Sequence, residues 1–152
     1  MSPTDPALDL LWSRLAAVRR FRFDARNGPG SQTDWSGSGV GTVAVSAENG
    51  WLFAESGTYT TPHGHQLPMR NTYHWQREGQ GIRLSHRRFQ QPVYLFTLQT
   101  VDATGRRWQT DEPHLCGADL YQATLLVEDA ALKLDWTIVG PKKNEALAYV
   151  YE

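Results

Sequence analysis

From residue 20 onward, apolar and polar residues alternate with period two, the pattern of strands with one face on a core. Arg20-Phe21-Arg22-Phe23 puts both phenylalanines on one side. "VGTVAVSA" does the same for Gly41, Val43 and Val45. Asn49-Gly50 is a hairpin signal, and "WLFAESGTYTT" reads as its partner strand. "MRNTYHWQR" is a further strand, and alternation leaves open whether Met69, Asn71, Tyr73 and Trp75 or Arg70, Thr72 and His74 face inward. "EGQG" turns into "IRLSHRRF", where Ile82, Leu84 and His86 share a face. Pro92 precedes "VYLFTLQTV", and "DATG" turns into "RRWQT". "DLYQATLLV" aligns Asp119, Tyr121, Ala123, Leu125 and Val127, and "LKLDWTIV" aligns Leu132, Leu134, Trp136 and Ile138. "EALAYVYE" is the last strand.

One segment departs from this period. Asp5 can cap a helix whose first position is Pro6, and Leu8, Leu11, Trp12 and Leu15 then form one stripe at helical spacing. About eight to ten short strands with tight turns and a single helix predict an all-β fold: an antiparallel up-and-down barrel over residues 1–152, as one domain. A barrel is favoured over a sandwich because short turns pair sequential strands and closure removes exposed edges.

The interior rows of such a barrel are apolar and end in one or two polar groups. A barrel of ~8 strands can hold one small ligand, and an apolar envelope with a few placed polar groups is the usual make-up of a binding site. The polar groups at the row ends are His86, Asp119 and Tyr121.

Composition narrows the partners. The 152 residues carry a net charge of -1, which argues against nucleic acid, since duplex binding needs a concentrated basic face. The basic clusters Arg19-Arg20-Arg22 and Arg83-Arg87-Arg88 are expected to be split between two strand faces and solvated. A lone cysteine forms no internal disulfide, and no run approaches the ~18 apolar residues of a membrane span. The N-terminus lacks a signal-peptide pattern. A cytoplasmic protein is the expectation; a homodimer is left open.

The segment "EPHLCGADLY" concentrates two acids, a histidine, the only cysteine and a tyrosine within ten residues. His114 could lower the thiol pKa of Cys116, but nucleophilic catalysis also needs an oxyanion hole that no spacing here supplies. A polar ligand anchor or a buried thiol at a barrel corner fits better. His63 and His65 lack a third metal ligand, so no metal is expected. "GSGVG" lacks the strand–turn–helix setting of a dinucleotide loop and reads as glycines that let strands bend.

"HLCGADLYQATLLV" together with "LDWTIVGPKKNEALAYVY" resembles the C-terminal signature of a small, functionally uncharacterised lipocalin-like family. The matching positions are His114, Cys116, Asp119 and Tyr121, then Trp136, Gly140, Pro141 and Lys143, then Tyr149 or Tyr151. "SGSGVGTV", Glu55, "GTY", Arg70, Tyr73 and Trp75 also fit. The resemblance implies a calycin-type barrel with an N-terminal helix and no assigned activity. Asn144 departs from the family pattern and leaves the role of Lys142 and Lys143 open.

The resulting expectation is small-molecule binding in the barrel, the ligand being apolar with a polar or anionic end. Its anchors would be Arg70, Tyr73, His86, His114, Cys116, Asp119, Tyr121 and Lys142 or Lys143; its walls would be Trp75, Trp136, Leu125 and Ile138. The cofactor is unknown. The alternative is a barrel enzyme of isomerase, cyclase or lyase type, with His86 or His114 as base and Tyr121 or Asp119 as acid. Haem ligation through His86 and a protein-interaction module rank lower.

Overall fold

The computed structural model describes residues 5–31, 36–88, 91–110, 112 and 114–152, without the side chains of His114 and Cys116. Helix α1 spans Pro6–Ala16. The strands are β1 Arg20–Asn27, β2 Gly37–Ala47, β3 Trp51–Thr60, β4 Gln66–Glu78, β5 Gly81–Arg88 and β6 Gln91–Thr100. β7 Arg107–Thr110, β8 His114–Cys116, β9 Asp119–Val127, β10 Leu132–Val139 and β11 Asn144–Tyr151 complete them. All pairings are antiparallel. The sheet runs β10-β11-β1-β2-β3-β4-β5-β6-β7-β9, and β9 pairs back to β10, closing a ten-stranded barrel. β7 and β8 pair with successive stretches of β9 and act as one broken stave.

The helix forms for the reasons its sequence suggests. The Asp5 carboxylate accepts from the amides of Ala7 and Leu8, and Pro6 occupies the first turn. Leu8, Leu11 and Leu15 are buried against the barrel end, each contributing about 1.5–3 kcal/mol. Trp12 packs on Trp51 at 5.5 Å between centroids, and Trp51 Nε1 donates to the Trp12 carbonyl at 3.2 Å. Arg77 bonds Asp9 at 3.0 Å. The helix therefore seals one end of the barrel.

Closure depends on a glycine row. A Cβ on Gly41 would collide with the Ser56 carbonyl and Gly57, and a Cβ on Gly39 would enter the Phe23 ring. Bare backbone here lets β1, β2 and β3 approach while aromatic rings turn inward. Asn49 and Gly50 both have positive φ, 48° and 125°, in the three-residue turn between β2 and β3.

Arg20 and Arg22 share the outer face of β1, on either side of Phe21, as alternation expects, and both reach Glu152. One detail differs from the sequence expectation. Pro92 lies inside β6, paired with Arg87, rather than before it. Its missing amide is tolerated because, among the described residues, β6 meets β7 only through Leu98–Thr100, leaving that stretch an edge.

Candidate functional site

The β4 ambiguity resolves on register. Phe53 pairs with Tyr73, Glu55 with Asn71 and Tyr73 with His86, so Met69, Asn71, Tyr73 and Trp75 face inward with the buried rows of β3 and β5. His74, on the outer face, is nonetheless buried, with Nε2 2.8 Å from the Glu48 carbonyl.

The inside of the barrel changes character along its axis. Towards the helix it is solid: Phe53, Trp75, Leu98, Trp108, Leu125 and Leu134 are at most 1% exposed. Towards the other end, inward-facing Met69, Asn71, His86, Tyr121 and Leu147 are only half-buried. Between the two lie Phe23, Tyr73 and Trp136, each 6–8% exposed. Side chains that point inward yet meet solvent thus ring the end away from the helix, hereafter the cup, above a floor of aromatic rings. Phe23 stacks on Tyr149 at 4.9 Å, Tyr73 stands edge-on to Tyr149 and to Trp136 at 6.2 Å, and His86 stacks on Tyr73 at 5.0 Å.

A buried acid lies within this floor. Glu55, on the inward row of β3, is 2% exposed. Tyr151 donates to its Oε2 at 2.7 Å and Tyr149 to its Oε1 at 3.2 Å. A further hydroxyl bond links Tyr149 to Tyr73. Burial raises the carboxyl pKa to about 7, against the lowering effect of the two tyrosine bonds. The same burial, with the negative charge of Glu55 nearby, raises Tyr73, Tyr149 and Tyr151 above the usual phenol value. His86 is lowered by burial first and by Arg88 second, which keeps its ring neutral at pH 7. Trp75 Nε1 and Trp136 Nε1 are buried with no partner among the described residues.

Of the residues singled out from sequence, Tyr73, Trp75, His86, Tyr121, Trp136, Leu125 and Ile138 lie on inward rows. Asp119 stands at the rim, 3.7 Å from Lys143, with its carboxylate over Gly140, where a Cβ would collide with Oδ1. This contact clamps the β8–β9 turn to the β10–β11 turn and accounts for the grouping of Asp119, Gly140 and Lys143. Lys142 is exposed in the second turn. Arg70 is on the outer face, paired with Ser56, and does not join the interior. The side chains of His114 and Cys116 lie outside the described residues. Two residues that matter, Glu55 and Glu145, were not among the proposed anchors. Each is a charged position on an otherwise apolar alternating row, and both are buried.

A separate groove of about 460 Å³ crosses the outer wall over Ala146 and Ala148, beside Asp24 and Asp135. Those carboxylates are exposed, and among the described residues no buried polar group faces the groove. Among the described residues no group of three or more His, Cys, Asp or Glu side chains could hold a metal ion.

Comparison of the sequence with protein families matches it to a family model over residues 18–152. The chain belongs to DUF6314, a family of unknown function. The match begins immediately after α1, so in this DUF6314 protein it covers the whole barrel and leaves out the helix that seals it. No curated protein and no solved structure matches the chain. The closed antiparallel barrel with its N-terminal helix agrees with the lipocalin-like expectation.

Proposed function

We propose that this DUF6314 protein binds a small, largely apolar molecule in the open half of its barrel. The observation that carries this reading is the exposure gradient along the interior: solid packing by the helix, half-exposed inward side chains at the mouth. Wall residues would be Trp136, Ile138, Met69 and Leu147, and polar contacts would come from Asn71, His86 and Tyr121. Asp119 and Lys143 would act by holding the mouth in shape. A single cysteine, needing no oxidising compartment, suits a cytoplasmic carrier. Native mass spectrometry of the protein purified from its source tests the reading. A reproducible added mass, lost on denaturation, supports it; the bare chain mass from every preparation counts against it.

An enzyme is the second reading, and one observation favours it. Glu55 has a pKa near 7, where a general acid or base works best. Its hydroxyl contacts lead through Tyr149 to Tyr73 at the cup floor. Neutral His86, stacked on Tyr73, would supply a second base. Proton-transfer chemistry such as isomerisation needs no more groups than these. A rate profile that breaks near pH 7 and loses that break in Glu55→Gln would support catalysis; a flat profile would exclude Glu55 from it.

A further inference from the structure

We infer that the ligand of the cup carries a positive charge, an organic ammonium group seated over the aromatic floor with Glu55 as its counter-charge. The inference rests on the binding reading above and names the chemistry of what is bound.

Among the described residues, the charges inside the barrel are one-sided. All fifteen Lys and Arg residues are among those described, and none points into the cup below its rim. Arg22, Arg26, Arg70 and Lys133 lie on outer faces. Arg77 is at the helix end, held by Asp9. Arg88 is exposed at the mouth, and Lys143 is engaged by Asp119 there. The inward rows below them carry Glu55 and Glu145, both buried. The groups facing Glu55 are Tyr149 and Tyr151 from β11, and Asn71 and Tyr73 from β4 with His86 behind. Each can donate or accept a hydrogen bond, and at neutral pH none supplies a positive charge.

A buried carboxylate is costly unless a cation meets it. Here both oxygens are hydrogen-bonded, yet among the described residues the charge itself has no counter-ion. An ammonium group supplies one, and it also suits the floor. Phe23, Tyr73, Tyr149 and Trp136 form a contiguous ring surface, and cations bind to aromatic faces. An anionic head group at the same place would meet Glu55 without a basic partner. The unpartnered Trp136 Nε1 offers a donor to an acceptor atom elsewhere on the ligand. The anionic end expected from sequence depended on Arg70 and a C-terminal lysine. Arg70 is outside, and Lys143 is tied to Asp119.

Three probes with one chain separate the cases: decylammonium, decanol and decanoate, titrated below micelle formation at pH 8 and followed by tryptophan emission. At that pH Glu55, with its pKa near 7, is charged. The inference expects decylammonium to bind at least about tenfold more tightly than decanoate, an ion pair and ring contact being set against charge repulsion. Glu55→Gln is expected to weaken decylammonium about tenfold and to leave decanol within about twofold. Decanoate binding as tightly as decylammonium overturns the inference while leaving the cup intact, as does a Glu55→Gln protein that binds decylammonium normally. If that variant does not fold, the wild-type ratio of ammonium to carboxylate decides alone. Failure of all three probes, decanol included, removes the cup reading itself and the inference with it.

Discussion

Tyr151 donates a 2.7 Å hydrogen bond to Glu55 Oε2, joining the last strand to β3 across 96 residues of chain. Both groups are buried, so neither has water to replace the other. Tyr151→Phe keeps the ring but leaves one carboxyl oxygen unsatisfied. The expected loss is about 1–3 kcal/mol in urea unfolding, with the Glu55 pKa driven further up. An unchanged midpoint would mean that the bond contributes nothing.

Glu55 also makes stability depend on pH. Its folded pKa is raised from 4.5 to about 7, so between those values the folded protein holds a proton that the unfolded chain releases. Stability from this group is therefore full below pH 4.5 and falls as pH rises towards 7, by on the order of 3 kcal/mol, levelling off above. Glu55→Gln cannot ionise. It is expected to remove this slope and to be more stable than wild type at pH 8, as read by urea melts at pH 5 and pH 8. A variant with the wild-type slope would place the titration elsewhere.

The glycine row is expected to be intolerant. In Gly41→Ala the added methyl meets the Ser56 carbonyl and Gly57, which are backbone and cannot rotate away. A loss of about 1–3 kcal/mol or more is expected in thermal or urea melts. Gly140→Ala strikes the Asp119 carboxylate instead, a side chain at the rim that can move, so the cost is expected to be smaller. Equal costs would contradict this account of barrel closure.

The rim ion pair is expected to be weak. Asp119 and Lys143 are 3.7 Å apart with side chains 24% and 38% exposed. Asp119→Asn should cost no more than about 1 kcal/mol. A larger loss in a salt-dependent melt would mean that the clamp supports the barrel as well as its mouth.

Much of the barrel is legible in the alternation itself. "DLYQATLLV" and "LKLDWTIV" show their inner rows because every other residue is apolar, and those rows are buried as read. β4 does not show its inner row, because aromatic and polar residues occupy both faces. His74 is buried on the outside only because the β2–β3 turn brings the Glu48 carbonyl over it. The signal for Glu55 is present in "FAESGTY": the acid shares a row with Phe53, Gly57 and Tyr59. What the row cannot reveal is that strand register brings Tyr149 and Tyr151 to that acid from the far end of the chain. Arg70 fits the family's look but occupies the opposite face, and the face decides which charges the cup contains.

The central claim is that the barrel is open inside, above a ring-lined floor. Its most direct test is titration with a neutral apolar fluorophore, N-phenyl-1-naphthylamine, against wild type and Leu147→Trp. Leu147 points inward and is half-buried, so a tryptophan there occupies the cup while leaving the packed end intact. The account predicts saturable fluorescence enhancement at a single site in wild type and its loss in the variant, with both proteins melting alike. No saturable signal in wild type, or the same signal in Leu147→Trp, would contradict it.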